Sequence, residues 1–140
     1  MTFSDPLPAM VKKARSDATL AALIPVSRIH EGFMPDDPDI NGIYVHSGRS
    51  PLRQIVSSGN QSAHIMTGSG RWQVDALSKE SMAKATQLAR TFCEAIMPSI
   101  TTAGLYVINY EERSSNWDQG YMCFRSTFRV SCPYREWTTI

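Results

Sequence analysis

The hydrophobic pattern is clearest between residues 70 and 97, where a strand pattern passes into a helix pattern. Polar and apolar residues alternate over residues 71–76, as in a strand that is buried on one side. Over residues 82–96 apolar residues recur every three or four positions, which predicts an amphipathic helix. Ser78 stands where an N-cap belongs, and Pro98 stands at the far end as a stop. This strand and this helix are therefore predicted to form the centre of the fold.

The other predicted helices and strands are shorter. Residues 1–24 are predicted to be helical in two pieces, an N-terminal helix within residues 1–16 and a second helix that Asp17 caps. Strands are predicted at residues 43–47, 64–67, 105–112 and 121–132. The predicted irregular segments are a turn-rich stretch at 27–41, a long mobile loop at 48–63, a bend at 68–70, a hairpin loop at 113–120 and a tail at 133–140.

The predicted elements follow the order helix, strand, strand, strand, helix, strand, strand. Because the links between strands have hairpin length, we expect an antiparallel sheet of about four to five strands. The long helix and the N-terminal helix are expected to pack on one face of this sheet. The sequence therefore predicts a single α+β domain over residues 1–140.

Composition and charge exclude few classes of function. The chain is 42% hydrophobic and 19% charged, as is usual for one globular domain of 140 residues. Its formal net charge of +1 provides no overall attraction to nucleic acid or to an anionic membrane, so any basic site must be local. No apolar run approaches the length of about 18 residues that a membrane helix needs, and no signal-peptide pattern is visible. We therefore expect a protein that is cytosolic or is assembled from the cytosol.

The residues that usually carry chemistry do not stand at the spacing of a catalytic or metal site. The cysteines and histidines are scattered, and the cysteines are expected to be free and mostly buried. They are Cys93, Cys123, Cys132, His30, His46 and His64. The acidic residues at 36, 37 and 39 lack the glycine and the closing glutamate of a calcium loop. Glu111 and Glu112 are adjacent, so in a strand they face opposite sides. We predict no catalytic residue, no metal ligand, no bound cofactor and no enzymatic activity.

Three features indicate an interaction surface. The first is a polar strand face that bears Arg125 and Arg129, provided that their strand lies beside residues 71–75. Such a face is either a solvated surface in which Asp75 pairs with an arginine, or a groove for nucleic acid. The second is Trp117, predicted at a hairpin tip, and the third is Trp137, in the predicted tail. The long loop adds two basic residues, Arg49 and Arg53.

Several runs, in order along the chain, resemble the tail-completion or tail-terminator proteins of long-tailed bacteriophages. They are DATLAALIPVSRIHEGFMPDD at residues 17–37, IYVHS at 43–47, RWQVDALSKESMAKATQLARTFCEAI at 71–96 and DQGYMCFRSTFRV at 118–130. In that family a short helix precedes an extended strand, a second strand leads into an alanine-rich helix, and a late strand closes the sheet. The resemblance covers most of residues 17–130 and rests on apolar patterns rather than on catalytic motifs.

This resemblance implies a structural virion protein in the tail-neck region, assembled in the host cytoplasm. Its partners would be further copies of itself in a homohexameric ring, the tail tube protein and the head-tail connector protein. DNA would pass through the lumen without sequence-specific binding, and no membrane would be involved. Since a ring uses head-to-tail contacts, each subunit needs two different contact patches. The candidates are Arg49, Arg53, Trp117, Arg125, Arg129 and Trp137.

The alternative interpretation is a small α+β module that binds nucleic acid or protein through the Arg125 and Arg129 face. The two interpretations differ in their response to salt. A nucleic-acid binder should lose affinity steeply as the salt concentration rises, whereas a ring subunit should self-associate with little regard to nucleic acid.

Overall fold

The computed structural model describes the backbone of residues 7–47, 52–57, 63–97 and 109–139, and the side chains of residues 7–46, 71–97 and 109–131 apart from Ala9. The helices are α1 (Leu7–Arg15), α2 (Ala18–Leu23) and α3 (Met82–Ile96), with a 3-10 turn at Val26–Arg28. The strands are β1 (Ile29–Glu31), β2 (Ile43–Ser47), β3 (Leu52–Ser57), β4 (Ala63–Ser78), β5 (Asn109–Asp118) and β6 (Cys123–Thr139). The two predicted N-terminal helices correspond to α1 and α2, and residues 1–6 lie outside the described ranges.

The described strands form one six-stranded sheet. Its order is β1-β2-β4-β6-β5, and β3 pairs with β4 beyond the end of β2. β1 and β2 are parallel, whereas the other strand pairs are antiparallel. The α+β class is confirmed. The parallel strand β1 was not predicted, because three residues are too few to show an alternation.

The hydrophobic core lies between one face of the sheet and the three helices. Trp72, Val74 and Ala76 of β4 are buried there, as their alternation predicts. The apolar stripe of α3 meets them, and its buried members are Ala85, Leu88, Ala89, Phe92, Cys93 and Ile96. Helices α1 and α2 complete the cover through Met10, Val11, Ala14 and Leu20. None of the described helices is long and apolar enough to cross a membrane.

The long helix begins three residues later than predicted. Ser81 is its N-cap, and the Ser81 hydroxyl accepts a hydrogen bond of 3.0 Å from the backbone N–H of Lys84. Ser78 is instead the last residue of β4, where it pairs with Phe124 of β6. This strand pairing holds the backbone extended through Ser78, so the helix cannot start there.

The predicted long loop at residues 48–63 is wrong for residues 52–57, which form β3 and pair with β4. The predicted tail at 133–140 is also wrong, because β6 continues through Pro133 to Thr139 in register with β4. Neither segment shows a clean alternation of polar and apolar residues, and each becomes a strand because a long neighbour provides its backbone partners. Pairing with a neighbouring strand thus decides the structure where the local pattern does not.

Two more segments that were predicted to be irregular lie wholly or mostly inside strands. The bend at 68–70 belongs to β4, which runs without interruption from Ala63 to Ser78. The hairpin loop at 113–120 is mostly strand, since β5 reaches Asp118 and a bulge between Glu112 and Ser114 absorbs its irregularity. The turn to β6 is therefore shorter and closer to Met122. Residues 105–108 of the predicted strand lie outside the described ranges.

The face of the sheet opposite the helices is called the open face here, and it carries the polar parity of β4 and β6. Its polar members on these two strands include Arg71, Gln73, Asp75, Arg125, Thr127 and Arg129. The segment between β1 and β2 covers one end of this face, where Met34 and Ile40 pack against Tyr44, Leu77 and Cys123. A glycine is required in this segment at Gly42, because a Cβ there would stand 2.8 Å from the carbonyl oxygen of Asp39.

Candidate interaction surface on the open face

Asp75 is the centre of the polar network on the open face, and its side chain is fully buried. Its Oδ1 accepts hydrogen bonds from Arg125 Nε at 3.0 Å and from Thr127 Oγ1 at 2.6 Å. Its Oδ2 accepts one from Gln73 Nε2 at 3.0 Å and lies 3.3 Å from His46 Nε2. Three neighbouring strands, β2, β4 and β6, bring these groups together. A buried carboxylate needs such partners, because burying it unpaired would cost several kcal/mol.

Arg125 pairs with this buried carboxylate and with a second one, that of Asp118 at the end of β5. Its Nη1 donates to Asp118 Oδ2 at 3.0 Å, so one guanidinium binds two carboxylates. Partial burial disfavours the charged form of Arg125, but Asp75 and Asp118 outweigh it and raise the pKa of Arg125. Burial likewise opposes ionisation of Asp118, but hydrogen bonds from the Tyr121 N–H and from Arg125 hold its pKa below the usual value.

Arg129 is held by a different acid. Its Nη2 donates to Glu111 Oε1 on the adjacent strand β5, and Arg113 lies 3.4 Å from the same oxygen. The hydrogen bond from Arg129 and its positive charge lower the pKa of Glu111. Glu112 lies on the opposite side of β5, where its Oε2 accepts a hydrogen bond from Ser115. The predicted divergence of these two glutamates is therefore confirmed.

The strands of Asp75 and Arg125 are direct neighbours, as the prediction of a shared polar face required. Within the described side chains, Arg125 and Arg129 each have a carboxylate partner on this face, whereas Arg71, which is exposed on the same face, has none. The charges are thus largely matched inside the face. Such an arrangement can hold strands together, but it presents little unbalanced positive charge to a polyanion.

Trp117 lies apart from the two arginines. It is in β5 rather than at a hairpin tip, and it pairs with Phe124 of β6. The two rings meet edge to face with centroids 5.0 Å apart, and Trp117 is 46% exposed. Its neighbour Asn116 pairs with Arg125, so strand alternation puts Trp117 on the other side of the sheet from that arginine.

For the candidates Arg53 and Trp137, the structure gives the position of the backbone through strand pairing. Arg53 lies in β3 and pairs with Thr67 of β4, which itself pairs with Arg135 of β6. Trp137 pairs with Ile65 of β4. Arg49 lies outside the described residues. The pairing brings Arg53 close to Arg135, a residue that the sequence did not single out because its segment was predicted to be a tail.

Two exposed apolar residues were also missed. Phe33 is 75% exposed and stacks on His46 with ring centroids 4.4 Å apart. Met122 is 61% exposed and has a φ of 56°, in the left-handed region, because it closes the turn from β5 to β6. Exposure of single apolar residues in turns leaves no periodic signal in a sequence. Among the described residues, no cluster of three or more histidine, cysteine, aspartate or glutamate side chains could hold a metal ion.

No protein-family model and no curated protein sequence matches this chain. Among solved structures, it is similar to a chain of the virion of a native gene transfer agent (GTA) particle. The superposition has a TM-score of 0.60 at 14% sequence identity, and it covers 95% of this chain and 100% of the other. The two chains therefore share a fold over essentially their whole lengths.

Proposed function

We propose that this chain is a structural virion protein that caps or completes a phage tail tube. It forms the tail side of the head-tail junction as a homohexameric ring, between the tail tube protein and the head-tail connector protein, and DNA passes through its lumen. The observation that carries the proposal is the end-to-end similarity to a chain of a gene transfer agent virion. The order of the runs that resemble tail-completion proteins supports the same role.

The open face supports a structural rather than a catalytic role. Its buried carboxylate, Asp75, is already bonded to groups on its own and adjacent strands. A catalytic acid or base instead needs a free position within hydrogen-bond reach of a substrate. We therefore propose that the polar residues of this face hold the subunit rigid while its edges and ends make contacts.

The alternative function, a module that binds nucleic acid through Arg125 and Arg129, has weaker support. Both arginines donate to carboxylates of their own chain, and Asp75 is fully buried beneath Arg125. Binding a phosphate there would require these ion pairs to be broken or shared. No observation on the described residues favours that function over the virion role.

The first test is the native mass of the purified protein over a concentration series, with and without DNA. We expect a discrete closed oligomer near six copies whose mass does not change with DNA. A monomer that shifts only when DNA is added, with an affinity that falls steeply as salt rises, would contradict the proposal and favour the binding module.

The second test is removal of the gene from the element that encodes it, followed by electron microscopy of the particles. A subunit that ends the tube and joins it to the head should leave tubes of uncontrolled length and unattached heads. Supplying the protein from a plasmid should restore joined particles. Normal particles without the protein would overturn the proposed function.

A further inference from the structure

Three arginines stand close together on the open face, at the end away from the segment between β1 and β2. Arg113 Nη1 lies 3.4 Å from Oε1 of Glu111, the same oxygen to which Arg129 Nη2 donates. Arg71 is exposed on this face and has no carboxylate partner among the described side chains. Three positive charges therefore stand beside a single negative one. This arginine cluster, Arg71, Arg113 and Arg129 with Glu111, holds the small surplus of positive charge on the open face.

Strand pairing brings the members of the arginine cluster together. Arg129 of β6 pairs with Gln73 of β4, and Arg71 stands two residues before Gln73 on the same side of β4. Arg71 and Arg129 are thus diagonal neighbours, whose Cα atoms lie roughly 7–8 Å apart, within reach of long side chains. Arg113 occupies the bulge of β5, and its contact with Glu111 places its guanidinium group on the same side of the sheet. One ligand can therefore reach more than one of these arginines.

The guanidinium groups of the cluster have donors that Glu111 does not use. An arginine carries five N–H groups, and one carboxylate oxygen shared by two arginines satisfies only a few of them. Arg71 and Arg113 can therefore bind a phosphate while Arg129 keeps its pair with Glu111. A guanidinium group suits a phosphate, because two parallel N–H groups can donate to two of its oxygens. Such binding leaves the ion pair of Asp75 intact.

We propose that the arginine cluster faces the DNA in the lumen, and that Arg71 and Arg113 contact DNA phosphates without reading the base sequence. The inference deepens the proposed function and rests on it, since the ring is what brings DNA to this face. Only two arginines per subunit are free to bind, so the contact is weak at physiological salt. A weak contact lets the DNA move through the lumen and leaves the native mass of the ring unchanged at that salt.

Fluorescence anisotropy of a labelled DNA duplex tests the contact on the purified protein between about 50 and 200 mM salt. The logarithm of the wild-type affinity should fall linearly with the logarithm of the salt concentration, with the same slope for duplexes of different sequence. Arg71→Gln with Arg113→Gln should flatten this slope by roughly 2 for each subunit that touches the DNA, at about 0.9 per lost phosphate contact. Glu111→Gln removes the negative charge of the cluster and should tighten DNA binding.

A matched control separates this contact from a general effect of charge. Lys12→Gln with Lys79→Gln removes the same charge as the double-arginine variant, at two exposed positions outside the arginine cluster. Its salt slope should stay close to that of the wild type. Circular dichroism and the thermal midpoint of each protein establish that it is folded, and sedimentation velocity gives its oligomeric state.

The outcomes distinguish the contact from the function. A wild-type protein that binds no DNA at about 50 mM salt would overturn the contact and leave the ring in place. Equal slopes for the double-arginine variant and its control, or weaker binding by a folded Glu111→Gln variant, would also overturn it. Poly-L-glutamate that binds more tightly than DNA would assign this surface to an acidic protein segment instead. Normal particles without the gene would refute the function, whereas opposite shifts in the arginine and Glu111 variants would still support the contact.

Discussion

Arg125 and Asp75 are 50 positions apart in the sequence, yet the Nε of the arginine donates to Oδ1 of the aspartate at 3.0 Å. The side chain of Asp75 is fully buried, whereas that of Arg125 is 27% exposed. The arginine side chain therefore covers the buried carboxylate and pairs with its charge. This relationship explains why the polar face that the sequence predicts carries ion pairs within the chain rather than an unpaired basic surface.

Replacement of Asp75 by alanine should cost about 3–5 kcal/mol of unfolding free energy, as expected when one partner of a buried ion pair is removed. Arg125 and Thr127 would lose a shared acceptor, and His46 and Gln73 would lose the other oxygen. Urea titration of the Asp75→Ala variant measures the loss. The control is Glu31→Ala, at an exposed acid, which should stay within about 0.5 kcal/mol of the wild type. Equal stability of both variants would show that the network contributes nothing.

Stability should fall in acid. The pKa values of Asp118 and Glu111 are lowered in the folded protein, so their contribution is present above the unfolded-state pKa values, near 3.8 and 4.5. It is lost as the pH falls through the lower folded-state values, because protonation then breaks the pairs with Arg125 and Arg129. Urea titrations between pH 7 and about pH 3 should show this decline. Asp118→Asn should make it shallower, and an unchanged slope would contradict the assignment.

Ser81→Ala should destabilise the protein by about 1 kcal/mol, because the backbone N–H of Lys84 loses its side-chain acceptor. Ser81→Asp should retain most of the stability, since aspartate caps helices equally well. Thermal unfolding of the three proteins compares them. If the alanine and aspartate variants were equally stable, Ser81 would not be the N-cap of α3.

Cys93 and Cys123 should not react with iodoacetamide in the native protein at pH 8. Both thiols are buried, and burial raises the pKa of each above its usual value, which disfavours the reactive thiolate. Peptide mass spectrometry after brief labelling measures the reaction, and the urea-unfolded protein is the positive control. Rapid native labelling of Cys93 would show that α3 does not stay packed on the sheet.

The sequence predicted the features that depend on local periodicity. The stripe of α3 and the alternation of β4 around Val74 follow directly from burying one side of an element, and both are confirmed. The polar parity that joins Asp75 with Arg125 and Arg129 was also predicted. The start of α3 was not, because two serines satisfy the same local capping rule. The strand pairing through Ser78 selects Ser81.

By itself the sequence determined the fold class and the core side of β4, β6 and α3. Only the tertiary structure decided that residues 52–57 and 133–139 are strands. Residues 133–139 pair with a part of β4 that is far away in the sequence, and residues 52–57 pair with the start of β4 across a short connection. Neither segment alternates cleanly between polar and apolar residues, so neither provides a clear local signal. The pairing of β4 with β2 and β6 also decides that the carboxylate of Asp75 is buried. Strand partners are chosen by the whole sheet, and for this reason periodicity within one segment cannot specify them.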